Sequence, residues 1–284
     1  MAAVVPSARA VPSLEDLREL ARQVRIDSLK MTSLAGSGHP GGSMSMADIA
    51  VVLFHRVLDV DPARPKWPDR DRFVLSKGHC SPGHYSVLAQ RGFFPREELW
   101  RFRRLGALLQ GHSDIKVPGV EMSAGSLGQG LSFGVGCALA ARIDGRTYRT
   151  FVMLGDGELQ EGQVWEAAMT ASHHELDNLI AIVDHNKIQI DGFVDEVKSL
   201  GPLADRWRAF GWHVLEIDGH DLTQILAAFE EAAQVRGRPA VIIAHTVKGK
   251  GVSFMESKAE FHGRSLNEDE MKRALAELGE VWIA

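Results

Sequence analysis

Residues 152–162 read VMLGDGELQEG. An apolar run enters a carboxylate, Asp156, held between Gly155 and Gly157, and a polar segment with Glu158 and Glu161 follows. Residues 150–154 are short, apolar and rich in β-branched and aromatic types, the pattern of a buried strand. A helical pattern over residues 162–173 starts a few positions later. In an open parallel sheet, ligands bind beyond the carboxyl ends of the strands. Backbone N–H groups at a helix start favour anions, and glycine lets the backbone come close. A pure phosphate cradle has no use for a carboxylate. Asp156 makes sense if a divalent cation stands between it and phosphate, because Mg²⁺ takes one or two protein oxygens together with phosphate oxygens. A plain Gly-Asp turn is the competing reading of these three residues.

The rest of the chain supplies the sheet. Residues 72–75, 179–183, 212–217 and 240–245 form further short apolar strand patterns. Helical patterns separate them. One is capped by Ser13 with Asp16 and ends at AGSGHPGG, where glycine and proline interrupt it. Others cover residues 46–58, 126–142, 162–173, 202–210 and 222–235. A last one is capped by Asn267 with Glu270 and ends near Leu278. A proline-rich connector spans residues 61–68. Such alternation implies an α/β fold, a parallel sheet with helices on both faces. The Gly- and Ala-rich pattern at 126–142 implies close packing. Strand 179–183 runs into Asp184-His185-Asn186-Lys187-Ile188, so Asn186 offers an amide oxygen beside Asp156, and a backbone carbonyl just beyond could complete a cation site.

The chain has 284 residues, 45% hydrophobic and 24% charged, which suits a globular protein with a sizeable core. Residues 13–284 are expected to form one large domain behind a mobile tail at 1–12. The net charge is -5 and no basic run is present, which argues against nucleic acid as a ligand. Cys80 and Cys137 are too few for a disulfide framework. The proline-bearing N-terminus does not read as a signal peptide, and no apolar stretch approaches the ~20 residues needed to cross a bilayer. A cytoplasmic protein, not a membrane protein, is expected.

Several blocks together resemble the transketolase family. GDG is followed after 27 residues by His185-Asn186, similar to the diphosphate motif of thiamine-diphosphate enzymes, with His185 where that motif usually has asparagine. GDGELQEGQVWEAA, IVDHNKIQIDG, SGHPGGSMSMADIA, DRFVLSKGH, QGHSD, PGVEMSAGSLGQGLS and HTVKGKGVSFME resemble transketolases specifically, in the family's order over nearly the whole chain. The resemblance implies a thiamine-diphosphate-binding fold, with Asp156, Asn186 and the Ile188 carbonyl holding Mg²⁺ or Ca²⁺ on the diphosphate. It implies that Gly157 donates its N–H to a phosphate oxygen and that Gly125, Ser126 and Leu127 line the cofactor. Transketolases often carry proline where Ser126 stands.

Among twelve histidines, His55, His84, His173, His174, His213 and His245 read as surface or satisfied residues, and His220 is open. His39, His79, His112 and His262 fall in glycine-rich loops, where a residue that moves protons near neutral pH suits sugar hydroxyls. The resemblance assigns His39 and His262 to substrate, His79 and His262 to the diphosphate, and His112 to the donor sugar. It places Glu161 at a dimer interface, facing a glutamate of the partner chain. Without it, Glu161 reads as a first-turn glutamate favoured by the helix dipole. Lys248 and Lys250 are either solvated charges or part of a loop closing over the diphosphate.

Two-carbon ketol transfer in this family also needs a glutamate from a pyrimidine domain, and no such domain is expected within these 284 residues. The resemblance therefore implies the N-terminal subunit of a split transketolase, completed by a C-terminal subunit in an α2β2 assembly and acting on sugar phosphates. The alternatives are the corresponding subunit of a 2-oxoacid dehydrogenase or deoxyxylulose-phosphate synthase, or a non-catalytic cofactor-binding module.

Overall fold

Five strands lie side by side in the order β1 (Arg72–Leu75), β2 (Thr150–Gly155), β3 (Leu179–His185), β7 (Ala240–His245) and β6 (His213–Asp218). Every neighbouring pair is parallel. The architecture comes from a computed structural model, which describes residues 11–282. Of the tail expected at 1–12, residues 1–10 lie outside the described residues, and the Pro12 carbonyl accepts a hydrogen bond from Arg56 at 2.9 Å.

The inner strands β2, β3 and β7 are apolar through most of their length because both faces are covered, whereas the edge strand β6 is only half-buried and carries the exposed Glu216 and Asp218. Phe151, Met153, Ile180, Ile182 and Ile242 point into one core with α1 (Leu14–Ala35), α3 (Ala47–Val52), α4 (Ser81–Arg91) and α9 (Leu222–Ala232). Val152, Leu154, Ala181, Val183 and Ile243 point into the other, with α5 (Gln129–Ile143), α6 (Gly162–His173) and α8 (Leu203–Ala209). This two-residue alternation continues past the last apolar residue of β3. Asp184 and Asn186 therefore share a face with Ile182, and His185 turns to the opposite one.

The capping boxes at Ser13/Asp16 and Asn267/Glu270 are both present, the second opening α10 (Glu268–Glu277). Helix α1 ends as expected, at Gly36 in the left-handed conformation with φ 65°. Other elements depart from expectation. The PGG sequence opens a short helix, α2 (Pro40–Ser45), because Pro40 occupies its first turn, where a missing N–H costs nothing. The helix expected at 46–58 is α3 followed by a π-helical turn at Leu53–Val57. The helix expected from residue 126 starts at Gln129, since Gly128 is left-handed at φ 81°. A Cβ on Gly128 would stand 2.7 Å from that of Glu161, so the loop at 125–128 runs close against the GDG segment. Helix α4 has no counterpart among the expected elements because its Pro82 and Gly83 resemble a loop; both sit in the first turn. After β3 the chain makes a small antiparallel hairpin, β4 (Ile188–Gln189) and β5 (Gly192–Phe193), then α7 (Val194–Lys198).

The close packing expected of α5 is present. A Cβ on Gly130 would lie 2.4 Å from Ser76 Cβ, and one on Gly134 2.4 Å from Val152 Cγ2. Glycine lets this helix rest on the sheet at β1 and β2, which sets the position of both strand ends.

Candidate active site

The carboxyl ends of β1, β2, β3 and β7 open into a cavity of about 340 Å³, at the edge where an open parallel sheet binds ligands. Eleven of the twelve site residues expected from sequence line it: Asp156, Gly157, Asn186, Ile188, Glu161, Gly125, Leu127 and the four loop histidines. Ser126 is not among the lining residues; it is exposed between two of them.

Asp156 is buried at the tip of β2. Its Oδ1 accepts from the Gly157 N–H at 2.8 Å, and its Oδ2 accepts from the Lys187 N–H. Lys187 reaches that position by adopting φ 68°, a left-handed conformation uncommon outside glycine and found where a functional segment constrains the chain. The Asn186 amide nitrogen donates to Asp184 at 3.1 Å, which leaves its oxygen to accept the Ile188 N–H at 3.2 Å. The Ile188 carbonyl accepts from Lys248 Nζ at 2.8 Å. The Gly157 N–H, expected to face a phosphate, here serves Asp156. The Ile188 carbonyl, expected to face a cation, here faces an ammonium.

A carboxylate, an amide oxygen and a carbonyl are hard oxygen donors. Among the described residues no group of three His, Cys, Asp or Glu side chains forms a metal cluster. A divalent cation that takes only a few protein oxygens and completes its shell with phosphate and water fits this set. The Lys248 side chain reaches the same corner through its hydrogen bond to the Ile188 carbonyl.

The four histidines form one cluster centred on His39. Its ring centroid lies 5.0 Å from that of His79, 6.0 Å from His112 and 5.4 Å from His262, and His79 lies 5.1 Å from His262. Burial lowers the pKa of all four. That of His39 falls to about 4, helped by His112 and Arg103, and that of His262 to about 3, helped by Lys248. His79 is pushed well below the ordinary value, with His262 adding to burial, and His112 is lowered with Arg103 adding to burial. All four are neutral at neutral pH, so each presents one N–H and one lone pair. Lys248 Nζ donates to His262 Nδ1 at 2.8 Å, which leaves the proton of that ring on Nε2. His39 Nδ1 is buried without a protein partner, available to a ligand hydroxyl.

The sequence from residue 17 to 281 matches the family model "Transketolase, thiamine diphosphate binding domain". The chain belongs to the transketolase family. It is 47% identical to the 6-deoxy-6-sulfo-D-fructose transketolase subunit of Clostridium sp. (strain MSTE9), over 93% of this chain and 96% of that one. It is 44% identical to an apulose-4-phosphate transketolase subunit of Phocaeicola vulgatus, over 87% and 88%. Transketolase from Campylobacter jejuni superposes with a TM-score of 0.90 at 37% identity, covering 95% of this chain and 44% of that chain. The chain thus matches named transketolase subunits over most of their length and spans less than half of a solved transketolase. Both findings agree with the N-terminal subunit of a split transketolase expected from sequence.

Several residues of this transketolase domain were not anticipated. Lys77, from SKGH, and Asp184, at the end of β3, form a fully buried ion pair beneath the cavity. A lysine two residues beyond one apolar strand and an aspartate at the end of another were the available signal. Glu158 is buried and accepts from Ser76 Oγ, from the Gly128 N–H at 2.9 Å and from the Gly155 N–H at 3.0 Å, joining the 125–128 loop to the GDG segment. His220 has a structural role: its Nδ1 faces Asp48 at 2.7 Å, and its Nε2 accepts the Val247 N–H at 2.9 Å, next to Lys248. Lys250 pairs with Glu256 at 3.6 Å and does not line the cavity. His84 departs from expectation. It is buried against Phe54, Phe73 and Tyr85 with neither ring nitrogen hydrogen-bonded, and burial drives its pKa to about 3.

Proposed function

We propose that this chain holds the diphosphate of thiamine diphosphate through Mg²⁺ or Ca²⁺ bound by Asp156, Asn186 and the Ile188 carbonyl, and transfers a two-carbon ketol unit from a ketose phosphate to an aldose phosphate. The observation that carries the reading is the meeting, in one cavity, of those three oxygens with four neutral histidines. Bound thiamine diphosphate supplies the nucleophilic carbon for such a transfer. The chain's residues bind and orient. His79 and His262 would hold the diphosphate, and Lys248, whose Nζ donates to the Ile188 carbonyl at 2.8 Å, would offer its ammonium to a phosphate oxygen. His39 and His112 would hydrogen-bond sugar hydroxyls, each with one N–H and one lone pair, and a ring that takes a hydroxyl proton on one nitrogen stays neutral by releasing the proton of the other. Glu161, at the exposed rim, faces a partner.

The cofactor's ring requires a glutamate that this reading assigns to a separate C-terminal subunit, in an α2β2 assembly in the cytoplasm. Among the described residues no helix is long and apolar enough to cross a membrane. The relatives named for apulose 4-phosphate and 6-deoxy-6-sulfofructose support ketoses with an anionic end as the substrate class. The test combines the chain with the C-terminal subunit, thiamine diphosphate and Mg²⁺ against a panel of ketose phosphates and pyruvate. Ketose turnover only in the combined sample is expected. Turnover by the chain alone, or of pyruvate in place of ketoses, refutes the proposal.

A further inference from the structure

Below the cavity floor, the Asp184 carboxylate is fully buried and ties together the four segments that carry the site. Its Oδ2 accepts from Ser45 Oγ of α2 at 2.6 Å, from Lys77 Nζ beyond β1, and from Asn186 Nδ2 beyond β3 at 3.1 Å. Its Oδ1 accepts from Thr246 Oγ1, beyond β7. Lys77 Nζ also donates to the Gly42 carbonyl at 3.0 Å. Burial alone would raise the pKa of Asp184, but the Lys77 ammonium and the hydroxyl donors outweigh it and hold the group ionised. Lys77 is likewise kept charged against burial by Asp184.

A primary amide has two chemically opposite ends, and a buried one turns whichever way its neighbours demand. A carboxylate can only accept. It therefore obliges Asn186 to offer its nitrogen downward and its oxygen upward, toward the corner it shares with Asp156 and Ile188. A group with no acceptor in place of Asp184 would leave that choice open, and an amide nitrogen turned upward repels a cation.

We propose that Asp184 is a positioning residue for the cation site, fixing the Asn186 amide with its oxygen toward the metal, while Lys77 serves as the counter-charge that lets a carboxylate occupy this depth. The inference rests on the cation reading above. It explains why a buried ion pair, which by itself contributes little to stability, lies under a binding site: an acceptor with no donor capacity sets the amide orientation, and the lysine neutralises it.

The test separates orientation from charge and from folding. In Lys77→Met/Asp184→Leu both charges go and no acceptor remains. In Lys77→Met/Asp184→Asn both charges go, but an oxygen can still stand where Oδ2 stands. Mn²⁺ affinity is read from the free-ion electron paramagnetic resonance signal, with saturating thiamine diphosphate, on the full chain in complex with its C-terminal subunit. Circular dichroism and thermal unfolding report the fold. The leucine variant is expected to fold and to bind Mn²⁺ at least tenfold more weakly than wild type, and the asparagine variant to recover to within about threefold. Should the leucine variant fail to fold, Lys77→Met/Asp184→Val, β-branched as a strand end favours, provides the same comparison. Leucine or valine variants that fold and keep wild-type affinity overturn the inference, as does an asparagine variant no better than they are. Asp156→Ala, run alongside, distinguishes the two levels. If it too keeps wild-type Mn²⁺ affinity, the cation site is wrong and the inference falls with it. If it loses affinity while the Asp184 variants keep theirs, only the inference fails.

Discussion

Asp156 binds its proton more tightly in the folded chain than in the unfolded one, and this has a measurable consequence. Burial, reinforced by the negative charge of Asp184, raises its pKa from 3.8 to about 6. Between those values the folded chain holds a proton that the unfolded chain has released, so stability falls as pH rises through this window. That difference in proton affinity between the folded and unfolded chains amounts to ~3 kcal/mol, fully present as destabilisation above about pH 7 and absent below about pH 4. A bound cation reverses the sign. It needs the ionised carboxylate, so its contribution of RT ln(1 + [L]/Kd) grows over the same window. Urea unfolding at a series of pH values, on wild type and on Asp156→Asn, isolates this group, because every other titration is common to both. Asparagine gives up one acceptor for the Gly157 and Lys187 N–H groups, which shifts its absolute stability by ~1–3 kcal/mol but not its slope. Without cofactor, wild type should lose ~3 kcal/mol more than Asp156→Asn between pH 4 and 7. With saturating Mg²⁺ and thiamine diphosphate, wild type alone should gain stability with pH. Identical slopes for the two proteins without cofactor would refute the reasoning.

Three further outcomes are expected. His185→Asn should leave thiamine diphosphate affinity within about twofold by calorimetry, since the ring lies 5.1 Å from that of His245, on the face away from Asp184 and Asn186; a larger change would place it in the site. His220→Ala removes the only described acceptor of the Val247 N–H and a partner of Asp48. It should lower stability by ~1–3 kcal/mol and weaken cofactor binding by loosening Lys248, and unchanged urea midpoints would contradict this. Gly134→Ala puts a Cβ 2.4 Å from Val152 Cγ2, so ~1–3 kcal/mol should be lost as α5 lifts from the sheet; a wild-type midpoint would mean that the helix rests there less tightly than described.

The layer architecture and the place of the site are legible in the order of the amino acids. Apolar strand runs with helical stretches between them allow a sheet buried on both faces and little else, and GDG followed by His185-Asn186 marks two neighbouring strand ends. Asp156, Asn186 and the loop histidines could be named because strand-end and glycine-loop positions are local properties. What surrounds them is set by long-range packing. Lys77 and Asp184 are 107 residues apart, and no local pattern shows that one neutralises the other. The neutrality of the histidines comes from desolvation and from one another's proximity, which exist only after five strands and their loops have converged. Helices α2 and α4 are hidden from a local reading for the complementary reason: proline and glycine in a first turn look like breaks until packing shows which side of them the helix lies on.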